Sequence, residues 1–303
     1  MIAQVIDLTA IFFLGAALAA AVVVGWRRQD LLVALLRSPL FAVFLALLAC
    51  HPFALDWRWS AWRLFQWLGY LAIYLVAQAT PRRLIEVMAG GIIVGATVAV
   101  VAETAVTGRG GALVQQNPNI AAALILQWSW LSPWPSWALI PLVFTGCRGA
   151  IISYAAALGG MMGRALGRLL PLLIIVGLTL ALALARPSTV RKRLATWVEA
   201  GRLFLARPLV GWGPGCYPLL AHADPDRPHA DSLPLTIAVE TGLVGLAAWG
   251  WLAVWAARAA RHSEDPVRWA LVAFAAHNVV DNTIIWYWPG IATMVALAIV
   301  EER

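Results

Sequence analysis

The sequence predicts an all-α protein: a polytopic membrane helical bundle of about ten or eleven transmembrane helices, with one large polar loop on one face. Three observations carry that expectation. Of 303 residues, 62% are hydrophobic and only 12% charged, whereas soluble domains run at roughly half apolar and a quarter charged. The apolar residues fall in long runs separated by short basic turns. The chain also holds 17 tryptophans, a residue that concentrates at the headgroup level of bilayers.

A span requires ~20 apolar residues. Apolar segments, several of them short, lie near 2–25, 38–51, 61–79, 84–106, 118–131, 134–147, 149–163, 168–185, 233–257, 267–286 and 288–300. The first carries Asp7 and no basic region ahead of it, so it reads as a retained span. Pro133 and Pro135 interrupt the pair around 118–147, whose halves read as tilted or re-entrant. If every segment crosses, Arg27 and Arg28, Arg82 and Arg83, Arg164 and Arg168, and Arg258, Arg261 and Arg268 share one face. The positive-inside bias makes that face cytoplasmic. The formal charge of +7 is then a membrane signature and does not point to nucleic acid. Cys50, Cys147 and Cys216 have no metal-ligand spacing and read as small buried hydrophobes. The whole chain, 1–303, reads as a single integral membrane domain.

Residues 186–232 fall on the outer face, yet they hold Arg186, Arg191, Lys192, Arg193, Arg202, Arg207 and Arg227. A long loop translocates largely regardless of charge. Cations outside also suit an anion at the membrane surface, because the planar fork of Arg donates two parallel hydrogen bonds to phosphate. Within the loop, "VRKRLATWVEAGRLFLA" at 190–206 has the spacing of an amphipathic helix lying at the interface, stopped by Pro208. "GWGPG" follows, and Gly211, Gly213 and Gly215 permit either an ordinary turn or a close approach of backbone to a ligand.

Four stretches resemble one known family. They are "QNPNIAAALI" at 116–125, "FTGCRGAIIS" at 144–153, "RLATWVEAGRLFLARPLVGWGPG" at 193–215 and "HADSLPLTIAVETGLVGL" at 229–246. In order and spacing they are similar to motifs of the O-antigen ligase-related membrane proteins. That family includes lipopolysaccharide O-antigen ligases, O-antigen polymerases and protein O-oligosaccharyltransferases. The similarity covers about residues 110–285, and residues 1–105 match only as generic spans. The resemblance implies a GT-C-type glycosyltransferase of the bacterial inner membrane, with 186–232 as a periplasmic loop. It implies transfer of a glycan, without a metal, from an undecaprenyl diphosphate carrier to an acceptor hydroxyl such as that of lipid A-core. Arginines hold the diphosphate, and a loop histidine activates the acceptor.

Carried onto this chain, the resemblance assigns diphosphate binding to Arg148 and to Arg193, with Arg191 as the rival of Arg193 and Arg207 as a third contact. The catalytic position departs from the family, because its His-Asn pair falls on Asp231 and Ser232, while His229 matches an earlier histidine. Two bases stay open. His229 serves from a shifted backbone, helped by Pro228 and Pro234, or Asp231 takes the proton directly. His222 is an outlying third. Glu240, a carboxylate inside the next span, reads as structural support paired with an arginine such as Arg148. His277 and Asp281 are four apart and share a helix face, which reads as an interhelical polar clasp. Asn117 and Asn119 read as caps beside Pro118.

Two other classes compete. A transporter or channel would use the intramembrane Glu103, Glu240 and Asp281, but no inverted repeat is evident and the polar residues concentrate in one outer loop. An inactive scaffold would explain the missing His-Asn pair. Ligase, polymerase and protein-glycosylating members share all four motifs.

Overall fold

The computed structural model describes residues 8–107, 118–166, 187–220, 229–279, 281–284 and 287–301. These residues form helices and no strands. In chain order the helices are α1 (Leu8–Arg27), α2 (Gln29–Arg37), α3 (Pro39–Cys50), α4 (Trp57–Ala79), α5 (Arg82–Thr107), α6 (Pro118–Ser129), α7 (Leu139–Thr145) and α8 (Arg148–Leu166). They continue with α9 (Pro187–Ala206), the single turn α10 (Tyr217–Leu220), α11 (Leu233–His262), α12 (Arg268–Val279) and α13 (Tyr287–Glu301). Short 3₁₀ turns lie at His51–Phe53 and Pro135–Ala138.

Local chemistry sets the boundaries. Ser38 accepts from the Phe41 N–H at 3.3 Å, and Pro39 opens α3, so α2 and α3 meet at a 59° bend. Asp56 caps α4 through the Arg58 N–H at 2.8 Å, and Asp265 accepts from Val267 N–H at 2.9 Å just before α12. Gly146, at φ 62°, ends α7 in the left-handed region.

Among the described residues, two helices are long and apolar enough to cross a membrane alone, Arg82–Val106 and Leu233–His262, or three if the bent pair Gln29–Arg37 and Pro39–Phe53 is one span. Gly15–Arg27, Asn119–Ser129, Pro135–Thr145 and Pro289–Glu301 are shorter apolar helices. The count of ten or eleven rests on treating such pieces as full spans. The segment expected at 134–147 is a 3₁₀ turn followed by a seven-residue helix, and the one expected at 267–286 is helical only to Val279. The span expected at 168–185 lies outside the described residues, and α2 was not anticipated.

Helix α4 is the packing centre, with α1 and α13 against it, while α3 packs on α11 and α8 on α12. Trp67, Tyr70 and Tyr74 of α4 are buried in one continuous core. Tyr70 reaches across to donate to the Ile284 carbonyl at 2.7 Å, and Gly290 of α13 leaves room for its ring. Gly160 does the same for Trp269 between α8 and α12. At one end of α4, Arg82 pairs with Glu86 at 2.7 Å and with Asp265 at 3.3 Å, so the basic groups at 82–83 and 258–268 share that end. At the other end Trp59 touches Gly215. Since α4 has 23 residues, the glycine turn and the basic end are ~34 Å apart.

Helix α11 is not the continuous rod that 233–257 predicts. Gly242 takes φ 60°, ψ −152°, which breaks the intrahelical ladder. The segment 208–213 fills the break. Trp212 N–H donates to the Val239 carbonyl at 3.0 Å and Gly213 N–H to the Glu240 carbonyl at 2.8 Å. In return Leu243 N–H donates to Pro208 O at 2.8 Å and Val244 N–H to Leu209 O at 3.2 Å. Polar backbone groups inside an apolar protein must be satisfied, and here two irregular segments satisfy each other. A Cβ on Gly211 would lie 2.5 Å from the Glu240 carbonyl carbon, and one on Gly242 2.5 Å from that of Leu209.

Gly211→Ala and Gly242→Ala therefore combine left-handed backbone strain with a backbone clash, and each lowers stability by at least ~2 kcal/mol. Gly91→Ala, where nothing lies within 4 Å, is neutral or slightly stabilising. Thermal unfolding of the detergent-solubilised variants checks the contrast.

Candidate functional site

Helix α9 brings the loop's arginines to the bundle. Val190, Leu194, Val198 and Leu205 are exposed along it and recur at about helical spacing, while Thr196 and Ala200 are buried on the opposite face. That is the pattern of a helix with one apolar face toward lipid and another toward protein. Arg191 is exposed and Arg193 is half-buried. The Arg193 guanidinium acts electrostatically on both His277 and Cys147, so it faces the protein interior. Arg148 opens α8 directly after Cys147 and is half-buried.

The turn 229–232 lies under α9. Trp197 Nε1 donates to the Asp231 carbonyl at 3.4 Å, and Thr236 Oγ1, itself bonded to the Ser232 carbonyl, accepts the Ala230 N–H at 3.2 Å. Asp231 is the one non-glycine with positive φ, 52°, among the described residues, a conformation that costs of order 1–3 kcal/mol. In the same turn the Asp231 N–H donates back to His229 Nδ1 at 3.1 Å. The Asp231 carboxylate lies 3.8 Å from that same nitrogen. His229 and Asp231, read from sequence as rivals, are neighbours around one imidazole.

A second carboxylate, Asp281, completes the group. His229 Nε2 is 3.6 Å from Asp281 Oδ1, and His277 Nε2 is 3.7 Å from Asp281 Oδ2. The pair His277 and Asp281 is therefore more than a clasp between helices, because Asp281 bridges two imidazoles from distant parts of the chain. Asp281 stands beyond the end of α12, in the non-helical segment 281–284. Side chains hold that segment. Asn278 Oδ1 accepts from Thr283 N–H at 2.8 Å, Asn278 Nδ2 donates to Thr283 Oγ1 at 2.9 Å, and Gln127 of α6 donates to the same hydroxyl at 3.3 Å. Irregular backbone at this depth persists where protein surrounds it, and these residues are buried.

Glu240 and the glycine turn form a separate structural unit. The Glu240 carboxylate accepts from Tyr217 N–H at 3.3 Å and from the Gly215 N–H. The arginine facing it is Arg63 of α4, not the Arg148 expected from sequence. Gly211, Gly213 and Gly215 all have positive φ, and the backbone they approach closely is protein: Val239–Thr241, Ala54 and Trp59. Arg207 stacks on Trp212 at 4.1 Å and donates to the Phe53 carbonyl at 3.5 Å. It thus clamps the turn to the segment before α4. The sequence offered a signal for Arg63 that was missed, an ionisable residue inside an apolar run. Arg63 donates to Gln66 at 2.6 Å, and Gln66 to the Tyr70 hydroxyl at 2.9 Å. These three residues line a cleft with Glu240, Trp249 and Asn282.

His222, Arg227 and Asn117 lie outside the described residues. Among the described residues no group of three His, Cys, Asp or Glu has the arrangement to hold a metal ion. No protein-family model matches the chain, and no curated protein matches it.

Removal of the Glu240 carboxylate orphans the buried N–H groups of Gly215 and Tyr217 and takes an anion from the half-buried Arg63. Glu240→Ala lowers stability by ~2–3 kcal/mol, whereas Glu240→Gln retains an acceptor and costs about half as much. Equal losses in denaturant unfolding would place the stabilisation in packing and not in these hydrogen bonds.

Proposed function

We propose that the protein is a membrane glycosyltransferase of the O-antigen ligase type. It moves a glycan from an undecaprenyl diphosphate carrier to an acceptor hydroxyl at the periplasmic face of the inner membrane. The observation that supports this reading is an imidazole, His229, flanked by two carboxylates, one of which, Asp281, also faces His277, on which the Arg193 guanidinium of α9 acts electrostatically. A lipid diphosphate requires that combination: cations at the bilayer surface for the headgroup, and a proton acceptor beside it for the incoming hydroxyl.

In this reading Arg193 and Arg148 hold the diphosphate. We assign no headgroup contact to Arg191, which is exposed, or to Arg207, which stacks on Trp212 and donates to the Phe53 carbonyl. The acceptor oxygen attacks the anomeric carbon as its proton passes to His229. The bond from that carbon to phosphate oxygen breaks, and the electron pair leaves on the diphosphate, whose charge the arginines neutralise. The proton acceptor is worth ~10²–10⁴ in rate because a neutral hydroxyl is a poor nucleophile. Asp231 supplies the backbone turn that presents the imidazole. O-antigen polymerases and protein O-oligosaccharyltransferases run the same chemistry on other acceptors.

The test is lipid-linked glycan transfer by purified variants. His229→Ala loses ~10²–10⁴ in rate and Asp231→Asn loses less. The wild-type rate rises with pH as His229 loses its proton and becomes able to accept one. Arg193→Ala abolishes transfer and Arg193→Lys rescues poorly, since an ammonium cannot fork, while Arg191→Ala is near normal. Full activity of both His229→Ala and Asp231→Asn would remove this catalytic assignment.

A further inference from the structure

We propose that Asp281, steadied by His277, is a positioning residue that fixes the tautomer of His229, so that the proton rests on Nε2 and Nδ1 is the nitrogen that accepts. The inference deepens the catalytic reading above, but its first test does not depend on that reading.

The argument starts from the hydrogen count. A neutral imidazole carries one N–H, so one nitrogen donates and the other accepts. The Asp231 N–H is a donor and points at His229 Nδ1 from 3.1 Å. In the neutral ring Nδ1 is therefore the acceptor, and the hydrogen must sit on Nε2. Nε2 faces Asp281 Oδ1 at 3.6 Å, the arrangement that a carboxylate rewards. That distance is beyond a direct hydrogen bond, as catalytic contacts often are before substrate binds, and a small side-chain rotation closes it.

Asp281 is itself held. Its Oδ1 accepts the Asn282 N–H at 2.7 Å, and its Oδ2 faces His277 Nε2 at 3.7 Å. His277 is fully buried, and neither of its ring nitrogens has a hydrogen-bond partner among the described residues. Its available interaction is the one with Asp281. The charged and titratable groups around this unit are Asp231 on the 229–232 turn, Arg193 on α9 and Cys147 before α8. The nearby Arg193 cation opposes a doubly protonated imidazole, and Asp281 offsets it.

The same hydrogen count argues against a metal at this cluster. A metal on His229 Nε2 would take the lone pair there and force the hydrogen onto Nδ1, against the Asp231 N–H. The arrangement resembles an orienting carboxylate, an imidazole and an incoming hydroxyl, with the roles of the two ring nitrogens fixed by the fold. When the acceptor's hydroxyl donates to Nδ1, it displaces the Asp231 N–H.

The experiment is ¹⁵N NMR of histidine-labelled protein in detergent micelles, with His229 assigned by comparison with His229→Gln. The proposal expects a pyridine-like Nδ1 and a pyrrole-like Nε2 for His229 above its titration, with no added metal. In Asp281→Asn it expects a mixture of tautomers, because the Asp231 N–H then holds the ring from one side only and no carboxylate favours the hydrogen on Nε2, and a His229 titration moved to lower pH, because an anion next to the ring is gone. Asp281→Glu restores both in part. A wild-type spectrum with the hydrogen on Nδ1 overturns the proposal outright, as does a spectrum with Nε2 occupied by a copurified metal. So does an Asp281→Asn protein that keeps the wild-type tautomer and titration. If Asp281→Asn fails to fold, the wild-type spectrum and His277→Asn decide, and an unchanged His229 titration in His277→Asn removes His277 from the unit. A correct tautomer without glycan transfer would leave the positioning role intact and refute the enzymatic one.

Discussion

Two backbone segments, each unable to satisfy its own polar groups, satisfy each other, and the site depends on that exchange. The break in α11 at Gly242 frees the Val239 and Glu240 carbonyls and the Leu243 and Val244 N–H groups. The turn at 208–213 offers the complementary set. Leaving four such groups unmet in an apolar interior would cost several kcal/mol, so neither segment is stable in this form without the other. Because the turn leads straight out of α9, the exchange also fixes where α9 lies. Arg207 on Trp212 and Glu240 on the Tyr217 N–H tighten the same junction from either side.

A second unwound segment, 281–284, supplies the rest. Asn278, Thr283 and Gln127 do there with side chains what the glycine turn does with backbone. The result brings Asp281 under α9, opposite the 229–232 turn. Two pieces of chain far apart in sequence, 229–231 and 281–284, thus meet at one imidazole, both outside regular helix. A chain made of uninterrupted spans would have no means of placing these groups within 4 Å of one another.

The class was legible from composition, and most helix positions from apolar runs and prolines. Pro39, Pro208 and Pro234 mark real boundaries. The amphipathic helix at 190–206 was legible because its apolar positions recur at helical spacing, and it runs over Pro187–Ala206. What was not legible is tertiary. Hydropathy cannot see that Gly242 interrupts an apolar run, since the flanking residues are as apolar as any span. Nor can it see that helix ends at Val279, because the cause is a network from Gln127, 156 residues away from Thr283. The i, i+4 spacing of His277 and Asp281 was visible, but their partner His229 was not. The glycines left open an ordinary turn or a close approach of backbone to a ligand, and what they approach in the fold is another segment of the protein.

The central claim is that the arginines of α9 and α8 and the imidazole of His229 address one diphosphate-linked substrate. The most direct measurement is a cryo-EM structure of the protein in nanodiscs with a non-hydrolysable polyprenyl diphosphate sugar analogue. The account predicts phosphate density within hydrogen-bond distance of the Arg193 and Arg148 guanidinium groups, with the first sugar toward His229 Nδ1. Density for the headgroup at the opposite end of α4, among Arg82, Arg83 and Arg268, would contradict it.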